Sequence, residues 1–156
     1  MKIKILIFFV TVLATVSFYQ TFTVNELDYE LINADANQVE LTGGTITGGI
    51  EIPKEVIYDN VTYTVTSIGD SAFESATLTS VEISDSVNSI GNYAFEGNEV
   101  LASVISKNTT PPTLGDDAFL DISNDAILYV PSGATQSYID EGWKVYFSAI
   151  EEDVFF

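Results

Sequence analysis

From Phe22 onward, apolar and polar positions alternate with a period of two, the spacing of a half-buried strand. Phe22-Thr-Val24 alternates, Asn25-Glu26 offers a turn, and Leu27-Asp-Tyr-Glu-Leu31 alternates again, which predicts a hairpin. Shorter alternations follow in Val39-Glu-Leu41 and Ile50-Glu-Ile52, separated by the glycine pairs Gly43-Gly44 and Gly48-Gly49. The clearest hairpin is Val56-Ile-Tyr58, Asp59-Asn60 and Val61-Thr-Tyr-Thr-Val65. Asp and Asn tolerate the left-handed angles of a two-residue turn, and β-branched and aromatic residues flank them. Helical spacing comes late. Ala134-Thr-Gln-Ser-Tyr-Ile-Asp-Glu141 is long enough for a short helix, and Gly142 suits its stop. The pattern predicts a β-rich chain with a minor helical part.

After Thr66 the pattern repeats itself. Ser67-Ile-Gly-Asp-Ser-Ala-Phe73 recurs as Ser89-Ile-Gly-Asn-Tyr-Ala-Phe95 and as Thr113-Leu-Gly-Asp-Asp-Ala-Phe119. Gly69, Gly91 and Gly115 are therefore 22 and 24 residues apart. Each copy leads into a short strand: Leu78-Thr-Ser-Val-Glu-Ile83, Leu101-Ala-Ser-Val-Ile-Ser106 and Ile127-Leu-Tyr-Val130. Such a period, with one L-x-x-L-x-L-like strand per copy, predicts a short leucine-rich-repeat solenoid. One unit cannot bury its apolar side alone, whereas stacked units align their strands and join their Ile and Phe residues into one core. Phe73, Phe95 and Phe119 are read as core plugs, and the glycine as a place where a side chain would obstruct the backbone. Pro111-Pro112 accounts for the longer second spacing as a rigid extended insertion.

Ile-Gly-x-x-Ala-Phe followed by Leu-x-x-Val-x-Ile resembles the BspA-like leucine-rich repeat of bacterial secreted and surface proteins. Thr110-Pro-Pro-Thr-Leu-Gly-Asp-Asp-Ala-Phe119 and Leu128-Tyr-Val-Pro-Ser-Gly133 are similar to segments that close these arrays, as is the series Tyr138, Trp143, Phe147, Ile150. Phe22-Thr-Val24, Tyr29-Glu-Leu31 and the Tyr58–Val65 hairpin resemble the β-cap that precedes the first repeat. The usual cysteine after Ala-Phe is absent, with Ala76 and Asn98 nearby instead. The resemblance implies a curved solenoid that attaches or recognises at a cell surface, as adhesins among the relatives do. It assigns no binding residue here.

Charge and composition narrow the chemistry. The 156 residues contain 23 acidic and five basic side chains, all five of them lysine, with no histidine or cysteine. A Ser-His-Asp triad, a thiolate nucleophile and Cys/His metal sites are excluded. A net charge of −18 argues against nucleic acid, because phosphate binding needs clustered Lys and Arg. Lys2 and Lys4 precede an apolar run from Ile5 to Phe18, which reads as a secretory signal peptide over residues 1–18, cleaved near residues 14–21. An uncleaved anchor stays open, since no clean A-x-A site is present. Without the signal, three lysines (Lys54, Lys107 and Lys144) face the same 23 acids, a net charge of −20. The mature chain is expected to have no transmembrane span and to be secreted or displayed on a bacterial surface.

Four segments are expected: the signal, a β-hairpin cap over 22–65, three repeat units over 66–131, and a helical and aromatic cap with its tail over 132–156. Trp143 is read as the plug of that last cap; the apolar tail Val154, Phe155 and Phe156 has no assigned role. Aligning Val81, Val104 and Leu128 places Glu82, Ile105 and Tyr129 in one outward row, with Ser80, Ser103 and Ile127 in the next. Glu82, Ile105, Tyr129, Ser80 and Ser103 are the candidate ligand contacts, because tyrosine offers apolar area together with a hydrogen-bonding tip. Ordinary sheet surface is the competing reading of the same rows. No catalytic residue, metal ligand or cofactor is assigned. The expected function is a non-enzymatic interaction or adhesion module for a protein or glycan. Two alternatives stay open: a carboxylate-dependent carbohydrate-active enzyme, and a calcium-stabilised structural subunit of a surface assembly. Asn60-Val-Thr and Asn108-Thr-Thr fit the N-glycosylation pattern, and Asp70-Ser-Ala and Asp85-Ser-Val resemble a bacterial O-glycosylation one; simple repeat turn chemistry is the favoured reading of the latter pair.

Overall fold

A computed structural model describes residues 20–153; the expected signal peptide and the tail Val154, Phe155 and Phe156 lie outside them. The chain opens with β1 (Thr21–Val24), β2 (Leu27–Asn33), β3 (Gln38–Gly44) and β4 (Gly48–Ile52). β5 (Glu55–Tyr58) and β6 (Val61–Ile68) follow, then β7 (Leu78–Ile83), β8 (Ser89–Ile90), β9 (Ser103–Ser106), β10 (Thr113–Leu114) and β11 (Ile127–Pro131). The end is α1 (Thr135–Asp140), a 3-10 turn at Trp143–Val145, and β12 (Ala149–Asp153). Both expected hairpins form, and their turns are left-handed: Asn25 and Glu26 at φ 52° and 65°, Asp59 and Asn60 at 49° and 63°. Those angles match the right-handed twist of the flanking strands.

Two sheets enclose one core. The first has seven strands in the order β1-β2-β3-β6-β8-β10, with β5 added on β6. The second is wholly parallel, β12-β11-β9-β7-β4. Each winding of the chain gives one strand to the first sheet and one to the second, so the fold is a β-solenoid of about five turns. β3 and β4 already lie in register with β6 and β7, so the stack runs through residue 66 without a break. Leu41, Ile68, Ile90 and Leu114 align along one wall, and Ile50, Val81, Val104, Leu128 and Ile150 along the other.

The arc between the sheets explains the motif. Phe73, Phe95 and Phe119 are fully buried and stack nearly parallel, with centroids 5.7 and 4.9 Å apart. Phe73 and Phe95 donate their backbone N–H to Ala94 and Ala118 of the next turn at 2.8 Å. The motif glycine is dictated by approach, not by handedness. Asn92 donates its backbone N–H to Asp70 Oδ1 at 2.7 Å, and Asp116 donates to Asn92 Oδ1 at 2.7 Å. This ladder lays the Asp70 side chain over Gly91, where a Cβ would sit 2.5 Å from both Oδ1 and the backbone nitrogen of Asp70. Gly115 meets Asn92 in the same way.

Both ends are closed by aromatic side chains, as an open solenoid end would expose core. Phe22 stacks on Tyr29 and Tyr58 at one end. At the other, Trp143 packs on Phe119 at 5.5 Å and donates its indole N–H to the Pro112 carbonyl at 3.2 Å. Tyr138 donates its hydroxyl to Ser106 Oγ at 2.6 Å, and burial pushes that phenol up to about 12. Asn98, fully buried, spans two turns: its amide donates to the Phe73 and Phe95 carbonyls at 2.8 Å and its oxygen accepts from Leu78 N–H at 2.9 Å.

Candidate interaction face

Side chains of a strand alternate between its two faces, so the parallel sheet turns every second residue outward. Glu82 lies opposite Ile105, and Ile105 opposite Tyr129, which joins the three in one row. The register extends the row at both ends, with Glu51 beside Glu82 and Glu151 beside Tyr129. From the first strand of the sheet to the last it reads Glu51, Glu82, Ile105, Tyr129, Glu151. The three central side chains are half-buried and the terminal glutamates exposed.

The neighbouring row is Gly49, Ser80, Ser103, Ile127 and Ala149. Apart from Ile127 these are small residues, and a Cβ at Gly49 would come within 2.8 Å of Ser80 Oγ. A low row thus runs beside a tall one, both crossing the strands. Ser80, Ser103, Glu82, Ile105 and Tyr129 are brought together; Glu51, Glu151, Gly49 and Ala149 escaped the sequence reading. Their strands lack the Ile-Gly-x-x-Ala-Phe motif that anchored the alignment. The signal was present in Ile50-Glu-Ile52, which repeats the Val81-Glu-Ile83 ending.

Electrostatics centre on two lysines. Lys107, just past β9, turns back to pair with Glu82. The hydrogen bond it donates to Glu82 holds its ammonium above the usual lysine range, opposed by desolvation and helped by the charges of Glu82, Glu51 and Asp85. Lys54 pairs with Asp85 at 3.0 Å. Glu51, Lys54, Ser84, Asp85, Lys107 and Pro131 border a hollow of about 650 Å³ along the carboxyl ends of the strands. A second hollow of about 910 Å³ lies at the far end, where Leu120, Asp121, Asp125 and Tyr146 surround the exposed Val145. Among the described residues, no three carboxylates gather as a metal site, and no helix is long and apolar enough to cross a membrane.

The BspA-type leucine-rich repeat region matches this chain over residues 54–142, in six copies. No curated protein matches it. A leucine-rich repeat protein of Bacteroides capillosus is similar in structure, with a TM-score of 0.65 and 26% identity over 85% of this chain and 98% of its own. A leucine-rich cell surface protein of Faecalibacterium prausnitzii gives a TM-score of 0.58 at 22% identity. That alignment takes in 86% of this chain, which spans only 43% of the longer protein. A leucine-rich repeat protein of Bacteroides ovatus shares the fold at a TM-score of 0.54 and 19% identity, over 83% of this chain and 40% of its own. With the repeated Ile-Gly-x-x-Ala-Phe arcs, the parallel sheet and the matched repeats in agreement, the chain belongs to the BspA-type leucine-rich repeat family.

Proposed function

We propose that this protein is a non-enzymatic interaction module, exported and held at or released from a bacterial surface, that binds a protein or glycan through the outer face of its parallel sheet. The observation that carries this reading is the row Glu51, Glu82, Ile105, Tyr129, Glu151, in which apolar and aromatic side chains are left half-exposed at the centre of a rigid sheet. A sheet face of this kind supplies preorganised contacts with little ordering cost. Family membership supports an interaction role, the repeats supplying the scaffold and the outward rows the specificity. The cell-surface description of the Faecalibacterium relative and the basic-apolar segment Met1–Phe18 support export. Ser80 and Ser103 contribute hydroxyls beside the apolar centre.

The test is an array of matrix proteins and glycans probed with the purified protein and with a Tyr129→Ala, Ile105→Asp double variant. The expected result is a partner retained by the native protein and lost by the variant. Equal retention by both would remove the face from the function. Hydrolysis of any arrayed glycan, abolished by one carboxylate substitution, would replace the interaction reading with an enzymatic one.

A further inference from the structure

The order of side chains along the tall row specifies more than a generic contact patch. It places a carboxylate at each end, Glu51 on β4 and Glu151 on β12, with Ile105 and Tyr129 between them. Adjacent strands are about 4.8 Å apart, so four steps across the sheet set the terminal carboxylates' strands roughly 19 Å apart. An extended polypeptide advances about 3.3 Å per residue, so its residues i and i+6 are separated by roughly 20 Å. Both fall on the same side of that extended chain, as do i+2 and i+4. A chain laid across the strands would then set i and i+6 over Glu51 and Glu151, i+4 close to Tyr129, and i+2 between Glu82 and Ile105.

The low row gives such a chain somewhere to lie. Gly49, Ser80, Ser103 and Ala149 keep the sheet shallow beside the tall row, while Ile127 continues the apolar centre formed by Ile105 and Tyr129. The protein also shows what sign of charge the row accepts, for its own Lys107 is seated on Glu82. Glu51 and Glu151 remain exposed and outside the two lysine–carboxylate pairs of the described residues. Lys54 and Lys107 border the same hollow as Glu51, while over the whole chain a net charge of −18 would draw a cationic segment toward the protein and repel an acidic one.

We propose that the partner of this face is a cationic extended polypeptide segment, with basic residues at i and i+6 and apolar residues at i+2 and i+4, lying across the five parallel strands. This rests on the interaction reading above and names the chemistry of its partner. The amino-terminal basic residue meets one terminal glutamate and the carboxyl-terminal one the other. Of the middle side chains, one packs beside Tyr129 and the other between Ile105 and the stem of Glu82, and the segment's backbone borders Ser80 and Ser103.

Fluorescence anisotropy tests this with capped heptapeptides carrying lysine at positions 1 and 7 and isoleucine and phenylalanine at 3 and 5. Matched peptides carry glutamate at 1 and 7, or lysines moved to 1 and 4. The lysine-1,7 peptide is expected to bind best, to weaken with added salt, and to lose roughly tenfold in affinity against Glu51→Lys, Glu151→Lys protein. Circular dichroism and melting confirm that this variant is folded. Binding that ignores the charge reversal, or that is equal for the glutamate peptide, overturns the cationic partner. If such charge-blind binding still falls with Tyr129→Ala, Ile105→Asp, the face is used and only the proposed chemistry fails. If neither variant changes binding, the interaction reading itself fails. Glycans retained on the array through Tyr129 with no salt dependence would assign the face to carbohydrate and also overturn the proposal.

Discussion

The two sides of this solenoid use similar polar residues in opposite ways. On the arc side, Asp70 and Asn92 spend their side-chain oxygens on the backbone of the next turn, at 2.7 Å each. On the parallel-sheet side, Glu51 and Glu151 stand exposed, and the row they end holds one internal ion pair, Glu82 with Lys107. β12 shows the contrast within two residues. Glu151 faces outward in the row, while Glu152 accepts hydrogen bonds from Ser132, Gly133 and Thr135. Polar side chains of the arc tie turn to turn and belong to the scaffold; under the proposed function, those left exposed on the sheet serve recognition.

The largest expected effect breaks the scaffold side. Phe95 lies between Phe73 and Phe119 in the middle of the stack with no exposed surface, so Phe95→Ala leaves a cavity that neighbouring turns cannot fill. It should cost about 3–5 kcal/mol in urea denaturation. The comparison substitution is Tyr129→Ala, half-buried on the sheet face, which should cost well under half as much. Equal losses would erase the distinction between scaffold and face. Asn98→Ala comes next. It strands the Leu78 N–H and removes a donor from the Phe73 and Phe95 carbonyls, all buried. A loss of about 2–3 kcal/mol is expected from the stranded groups, read as a lowered melting midpoint. An unchanged midpoint would show that the turns are held together without this bridge.

These residues also mark how far the sequence could be read. The repeat, its stacking and the core role of Phe73, Phe95 and Phe119 follow from a motif that recurs because each turn solves the same packing problem. The closing role of Trp143 was legible for the same reason, since an array must end. The hydrogen-bonding partners were not. Pro112 looked like a rigid spacer, yet its carbonyl receives the Trp143 indole N–H, a contact between residues 31 apart that no local pattern encodes. Ser106 stands where Ile83 packs in the preceding turn, and the hydroxyl of Tyr138 gives that buried serine its hydrogen-bond partner. The candidate row was legible across its middle, where the motif fixes the register. Its ends were hidden because β4 and β12 pair without the motif.

The smallest expected effect concerns Glu152 and depends on pH. Its carboxylate accepts from Gly133 N–H at 3.0 Å, Thr135 Oγ1 at 3.1 Å and Ser132 Oγ at 3.2 Å. These bonds, the backbone one foremost, hold its pKa below the ordinary 4.5. The same contacts lie beside the start of α1, whose N-cap Ala134 makes no side-chain cap hydrogen bond. A carboxylate beside a helix start is favoured by the helix dipole. Because the folded pKa is depressed, the contribution is fully present above the unfolded value, near 4.5. It is lost as pH falls through the folded value. Glutamine keeps one oxygen acceptor but loses the charge, so Glu152→Gln should lower stability at pH 7, and the difference from the native protein should shrink as pH drops below 4.5. Taking the difference between the two proteins cancels the titration of the other carboxylates, provided those sites are independent. Urea midpoints measured from pH 7 to pH 3 provide the check. Since the donors are neutral, added salt should change this difference less than it changes one for the exposed Lys54–Asp85 pair. A gap that stays constant down to pH 3 would assign Glu152 a role of shape alone. It would then belong with the outward glutamates rather than with the ladder of Asp70 and Asn92.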